Sequence, residues 1–242
     1  MVYEVIEKAD IILEILDARF ITQTRNPLVE EKIKKEGKIL IHVINKCDFL
    51  PKKRMEQEKR KLENAVFVSA SQHLGTRVLK EKIYILAKRK GIKEPLVGVV
   101  GYPNVGKSSL INALRGGKAA PTSSESGYTK ALQKIRISKD IMMLDTPGVM
   151  PKSEQNPISL VLIAAKNPTQ LEDPDLAVFK LMEDHPGMVE EFYGVDLQEE
   201  QEAVLEAIAM KLHLIKKGNK PDYERAARKI LYDWQQGKIQ KF

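Results

Sequence analysis

The sequence predicts an α/β fold, a mostly parallel sheet of about six strands with helices on both faces, followed by a small all-helical domain. Three observations predict it. Apolar runs at 11–16, 39–44 and 96–100 are almost unbroken, as in strands buried on both faces of a parallel sheet. Segments of helical periodicity alternate with those runs, the pattern of strand–helix–strand crossovers. Beyond Pro151 only helical patterns remain, which places the domains at 1–155 and 156–242.

A chain of 242 residues can bury a sizeable core. Its 43% hydrophobic and 30% charged residues read as soluble and globular, and no apolar run reaches bilayer-spanning length. The N-terminus lacks the layout of a secretory signal. The single cysteine, Cys47, excludes an internal disulfide and points to a reducing, cytoplasmic setting. His42, His73, His185 and His213 show no paired spacing, so no structural zinc is expected. The net charge of +7 leans toward a polyanionic partner.

Taken in order, residues 1–9 read as the end of a short helix, and the strand at 11–16 ends in Asp17-Ala18-Arg19. Asn26-Pro27 opens an amphipathic helix through Lys35, with Pro27 suited to its first position, and Gly37 closes it. The strand at 39–44 runs straight into Asn45-Lys46-Cys47-Asp48. N-K-x-D at the end of a buried strand has a specific use: a carboxylate accepts two hydrogen bonds from the ring N–H and amino group of guanine, and adenine offers no such pair. Asp48 would read the base, Asn45 would tie the loop together and Lys46 would lie along the ring; a polar turn is the other reading of the motif. A charged, solvated helix is expected at 52–63. A short strand at 65–68 follows, ending in Ser69-Ala70-Ser71, where the Ala70 N–H is a candidate donor to a base carbonyl. An amphipathic helix is expected at 76–90.

The run LVGVVGYPNVGKSSLINAL, residues 96–114, is G-x-x-x-x-G-K-[ST] in its required setting, between a strand and a helix. Unpaired loop amides and the helix dipole favour a polyphosphate there, with backbone and side chains from Asn104, Val105, Gly106, Lys107, Ser108 and Ser109. Lys107 would place its charge on the outer phosphates and Ser108 would bind Mg²⁺. Residues 116–130 read as a loop in which Thr129 is the candidate for a second Mg²⁺ ligand, or else a capping residue. An edge strand is expected at 132–137. A buried strand at 141–144 ends in Asp145-Thr146-Pro147-Gly148, a D-x-x-G in which Asp145 would hold Mg²⁺ through water and the Gly148 N–H would meet the terminal phosphate. Loss of that phosphate would release both loops, giving a switch.

The full set, phosphate loop, Thr loop, D-x-x-G, N-K-x-D and S-A, resembles that of Ras-like GTPases, but the base-reading half at 10–90 precedes the phosphate-binding half at 96–150. Circular permutation is tolerable because the termini of a compact domain often lie close together. Permuted order, DAR and TRNP ahead of it, and GYPNVGKSSLIN at the phosphate loop together resemble the YlqF/YawG-type circularly permuted GTPases, which include ribosome biogenesis GTPase A and the nucleolar GTPases related to nucleostemin. The resemblance covers most of the chain. It implies a cytoplasmic, Mg²⁺-dependent GTPase cycling between GTP and GDP, with Lys107, Thr129 and Gly148 at the reacting phosphate. Its implied partner is the large ribosomal subunit or its precursor, in late assembly.

The family's bacterial branch carries an N-terminal segment with a His implicated in hydrolysis, whereas this chain begins just before its first strand; TRNPLVE and GYPNVGKSSLIN look closer to the nucleolar branch. Where Ras-type enzymes place a water-orienting Gln, this chain has Val149, so slow intrinsic turnover is expected. Asn104 matches the position that helps related enzymes hold K⁺, which would supply part of the missing charge, and otherwise it stiffens the loop. A P-loop ATPase or kinase and a non-hydrolysing GTP-gated scaffold stay open as alternatives. In the C-terminal part, helices are expected at 158–165, 174–184, 186–192, 198–217 and 221–236, the fourth with an apolar stripe from Val204 to Ile215. The basic residues from Lys211 to Lys241, set beside the resemblance, imply binding to ribosomal RNA. A monomer is expected, and no membrane association.

Overall fold

A computed structural model describes residues 2–116, 133–145 and 156–239 of the chain. Two compact units result, Met1–Ser153 and Glu154–Phe242. The first contains, in order, α1 (Val2–Lys8), β1 (Ile11–Asp17), α2 (Ile21–Thr24), α3 (Pro27–Lys35), β2 (Ile39–Asn45), α4 (Lys52–Lys61), β3 (Val66–Phe67), α5 (Thr76–Arg89), β4 (Leu96–Gly101), α6 (Lys107–Arg115), β5 (Gln133–Arg136) and β6 (Met142–Asp145). The six strands form one sheet in the order β3-β2-β1-β4-β6-β5. All pairings are parallel except that of β5, which lies antiparallel to β6 at an edge.

The hydrophobic pattern dictates this layering. Every residue of β1 is buried, so the strand needs cover on both faces and sits inside the sheet. Ile12 and Val100 pack with Val5, Ile6 and Ala9 from the α1 segment and with Val29 and Ile33 from α3. Each fully buried aliphatic side chain of this kind contributes about 1.5–3 kcal/mol. Local signals set the helix ends. Asn26 Oδ1 accepts the Val29 N–H at 3.2 Å and Pro27 takes the first helical position, so α3 starts where the sequence places it. Helix α4 buries none of its side chains, as its charge predicts.

Parallel pairing brings the functional ends together. Asp17 pairs with Asn45, Ile15 with Gly101 and Gly98 with Leu144, so β1, β2, β4 and β6 finish at the same edge of the sheet. Ligands bind at that carboxyl edge in open α/β sheets. The strands carrying the base-reading motifs, β2 and β3, precede the phosphate loop in the chain, yet share its sheet, with β1 alone between β2 and β4.

The second unit holds α7 (Pro157–Leu162), α8 (Pro174–Asp184), α9 (Met188–Tyr193), α10 (Gln201–Lys211) and α11 (Tyr223–Gln235), with a small hairpin of β7 (Ile215–Lys216) and β8 (Lys220–Pro221). The helix expected over 198–217 is therefore shorter, and Ile215 is exposed rather than part of the core stripe. Positive φ at His213, Gly218 and Asn219 is the reason: the first ends the helical path and the other two make the hairpin turn. Val204, Leu205 and Ile208 are buried as the stripe requires. Helix α11 fastens the unit. Trp234 Nε1 donates to the Leu162 carbonyl at 2.7 Å, and Gln235 Nε2 to the carbonyls of Val161 and Lys166. Asp222 caps its first turn by accepting the Arg225 N–H.

Several basic residues expected on an RNA-facing surface have intramolecular work. Arg228 donates to the carbonyls of Pro168 and Leu171, and Lys211 to that of Gly194. Lys229 and Lys238 hold Asp233, which also accepts from Tyr193 Oη at 2.8 Å. Lys217, Lys220 and Arg225 are exposed, and Lys241 lies outside the described residues.

Candidate nucleotide-binding site

The phosphate loop leaves β4 at Gly101 and enters α6 at Lys107. Two of its glycines are sterically required. Gly101 has φ +149°, and a Cβ there would lie 2.6 Å from the Ile15 carbonyl oxygen. Gly106 has φ +94°, and a Cβ would lie 2.3 Å from Asn45 Nδ2. Asn104 adopts a left-handed φ of 61°, a conformation that Asn tolerates better than most residues. The buried Lys107 side chain donates to the carbonyls of Gly101 at 3.1 Å and Tyr102 at 2.6 Å, folded back over its own loop. Ser108 and Ser109 follow in the first turn of α6, where orphan N–H groups and the helix dipole favour an anion.

Asn45 joins the two halves of the permuted domain. Its Nδ2 donates to the Val105 carbonyl in the phosphate loop at 2.9 Å. Its Oδ1 accepts the Ala70 N–H at 3.1 Å. Only one orientation of the amide satisfies both partners, so the two loops fix its rotamer. The Ala70 N–H, a candidate donor to a base carbonyl, donates in the structure to Asn45. Ser69 is buried, its hydroxyl 3.1 Å from that of Ser71 and accepting the Gln72 N–H at 3.3 Å, which shapes the same loop. The Cys47 N–H donates to the Val68 carbonyl, holding the N-K-x-D turn against this segment. Asp48 is exposed on that turn.

Asp17 and Arg19 are the residues to which the sequence assigned no role. Asp17 is buried at the carboxyl end of β1, and its Oδ2 lies 2.8 Å from Lys46 Nζ. Arg19 grips the same carboxylate, with Nε 2.9 Å from Oδ1 and Nη2 2.6 Å from Oδ2. The Arg19 guanidinium also sits 5.1 Å from the Phe20 ring centre and 5.0 Å from that of Phe49. Burial pushes the Asp17 carboxyl up, but hydrogen bonds from Arg19 and the charge of Lys46 outweigh it and hold it below the usual carboxylate range. Lys46 in turn donates to the Asn104 carbonyl at 2.9 Å. A chain of contacts thus runs from Asp17 through Lys46 to the phosphate loop. An acid ending a fully buried strand was the available signal, because a carboxylate is seldom buried without cations.

The structure brings together Asn45, Lys46, Ser69, Ala70, Asn104, Val105, Gly106 and Lys107. Strand β6 delivers the Asp145 backbone to the same sheet edge. Thr129, Gly148 and Val149 lie outside the described residues.

A family model described as "50S ribosome-binding GTPase" matches residues 96–240, more than half of the chain. The chain belongs to this family. An uncharacterised GTP-binding protein of Methanocaldococcus jannaschii is 41% identical over 244 residues, covering 99% of this chain and 65% of that protein. Nucleolar GTP-binding protein 2 of Saccharomyces cerevisiae is 32% identical over 255 residues, covering 99% of this chain and 51% of its own length. The chain therefore spans about two thirds of the archaeal relative and about half of the nucleolar one. The crystal structure of GNP-bound YlqF from T. maritima superposes with a TM-score of 0.69 at 24% identity, covering 97% of this chain and 91% of that one. GDP-bound YlqF matches equally well, at TM-score 0.69 and 23% identity. These two neighbours show the fold alone, that of YlqF, in line with the sheet order seen here.

Proposed function

We propose that this chain binds GTP with Mg²⁺, hydrolyses it to GDP and phosphate, and uses the difference between the two states to change its grip on the large ribosomal subunit or its precursor. The observation that carries the reading is the Asn45 clamp, which locks the base-reading and phosphate-binding loops into one site across the permutation. The family's description as ribosome-binding supports the partner, and the names of the nucleolar relatives agree with it.

In this reading Asp48 accepts from the guanine edge, and the stem of Lys46, anchored by Asp17, lies along the ring. The loop from Asn104 to Ser109 wraps the phosphates, with the Lys107 ammonium exchanging its loop carbonyls for phosphate oxygens. Ser108, Thr129 and Asp145 are the residues that would hold Mg²⁺, which when bound neutralises charge on the outer phosphates. Ser108 fits that role by its place in the first turn of α6, and Asp145 by ending the strand beside β4. Gly148 would sense the terminal phosphate. Asn104 is the candidate K⁺ residue, because Val149 offers nothing to orient water. Exposed Lys217, Lys220 and Arg225 in the second unit are proposed to contact ribosomal RNA phosphates, and the setting is proposed to be cytoplasmic.

GTP hydrolysis measured in Na⁺ and K⁺ buffers, with and without large ribosomal subunits, tests this. Stimulation by the subunit is expected. A flat, negligible rate in all four conditions with GTP still bound would favour a non-hydrolysing scaffold gated by GTP, the second reading that Val149 supports. Asp48→Asn is expected to shift preference from guanosine to xanthosine triphosphate. Equal competition by ATP against the unaltered protein would place the chain with ATP-using P-loop enzymes instead.

A further inference from the structure

Away from the nucleotide loops, three side chains from three elements converge inside the first unit. Glu14, in the middle of β1, pairs in register with His42 on β2, and Glu30 joins them from the first turn of α3. Glu14 is 1% exposed and His42 6%. His42 Nε2 lies 3.5 Å from Glu14 Oε2 and 3.7 Å from Glu30 Oε1. Neither Glu14 Oε2 nor His42 Nε2 has a hydrogen-bond partner. The rest of the group is held firmly. Glu14 Oε1 accepts the Asn26 N–H at 2.9 Å, and Arg25 grips Glu30 with Nε at 2.7 Å and Nη2 at 2.6 Å. His42 Nδ1 lies 3.1 Å from the Glu63 carbonyl, so Nδ1 carries a proton and Nε2 is the ring atom that faces the two carboxylates.

Buried acceptor atoms that face one another are costly unless a cation lies between them. A shared proton would draw nitrogen and oxygen to about 2.7–3.2 Å, shorter than either distance seen here. Two ligand atoms on a tetrahedral metal with bonds of about 2.0–2.1 Å stand about 3.3–3.4 Å apart, within a few tenths of an ångström of both distances. All three ligand atoms lie within 4.8 Å of one another. The surroundings complete the pattern of a metal site, because the imidazole donates its other N–H to a backbone carbonyl and the outer carboxylate is hydrogen-bonded by Arg25.

We propose that Glu14, Glu30 and His42 form a structural site for a first-row divalent transition metal, with zinc the best match. One imidazole with two carboxylates suits such an ion better than magnesium, which prefers oxygen ligands and retains its waters. The Glu30 side chain is 16% exposed, so ion and solvent water can enter from its side. The bound ion ties the start of α3 to the neighbouring strands β1 and β2. Histidine spacing hides the site, since only one ligand is a histidine and the others come from separate elements.

The test titrates Co²⁺, then Zn²⁺, into the metal-stripped, nucleotide-free 242-residue chain. One equivalent of Co²⁺ should give the strong visible absorption of a four-coordinate site, and Zn²⁺ should abolish it while raising the melting temperature. His42→Gln and Glu30→Gln should each remove the absorption, and Arg25→Ala should weaken uptake by about 10–100-fold. Ser108→Ala, which alters the proposed nucleotide site and none of these three ligands, should leave Co²⁺ uptake unchanged. Glu30→Gln alters a partly exposed residue and keeps the test decisive should His42→Gln fail to fold. No absorption in the unaltered chain, or absorption that persists in both ligand variants, overturns the proposal and leaves a protonated histidine between two carboxylates.

Discussion

Replacing Asn45 by alanine tests the idea that one amide assembles the nucleotide site. The substitution removes the donor to Val105 and the acceptor for Ala70, and both backbone groups stay buried. Each orphaned group costs about 1–3 kcal/mol, so the variant should lose about 2–6 kcal/mol. In a unit of this size that corresponds to a fall of roughly 5–15 °C in melting temperature. The loss should be larger in guanine-nucleotide affinity than in fold, because the two loops no longer hold each other in register. Thermal melts with and without GDP, alongside direct GDP titration, read both quantities. Asn45→Asp sharpens the comparison. It keeps an acceptor for the Ala70 N–H but sets a carboxylate against the Val105 carbonyl, and it should bind nucleotide as poorly as the alanine variant. If Asn45→Ala melts normally and binds GDP with unchanged affinity, the clamp is incidental and the account of the site is wrong.

Gly106→Ala should fold poorly or bind no nucleotide, since its Cβ would meet Asn45 Nδ2 at 2.3 Å in a backbone with φ +94°; GDP titration and a melt check this. Asp17→Asn leaves the Lys46 and Arg19 cations short of their buried partner and should cost about 3–5 kcal/mol by chemical denaturation. The native Asp17 carboxyl titrates below its unfolded value, so its contribution is full above about pH 4 and is lost as pH falls toward the native value; Asp17→Asn should flatten that part of the stability profile. In the second unit, Tyr193→Phe removes one donor to Asp233 while Lys229 and Lys238 remain, and should cost about 1 kcal/mol in a denaturant melt.

The elements of the sheet were legible because the signals are local. Unbroken apolar runs mark strands buried on both faces, and Asn26-Pro27 marks a helix start through a side-chain cap and a preset φ. The hairpin at Ile215–Pro221 was missed since Val204, Leu205, Ile208 and Ile215 keep helical spacing across a real break. Gly218-Asn219 was the turn signal, outweighed by the apolar period. In the basic C-terminal run, a count of charges does not reveal that Arg228 and Lys229 have partners inside the unit.

The sequence by itself determined which chemistry this protein can hold. Phosphate loop, N-K-x-D and S-A are short patterns whose residue types and spacing follow from hydrogen bonds made over a few residues of backbone, and their permuted order is a fact of the chain. Tertiary structure alone decided how those pieces join. Asn45 meets Val105 across 60 residues, and Asp17 meets Lys46 only because β1 and β2 pair in register. Glu14, Glu30 and His42 converge for the same reason. Such contacts depend on which strands lie side by side, and that depends on burying the whole apolar surface at once, which no local pattern encodes.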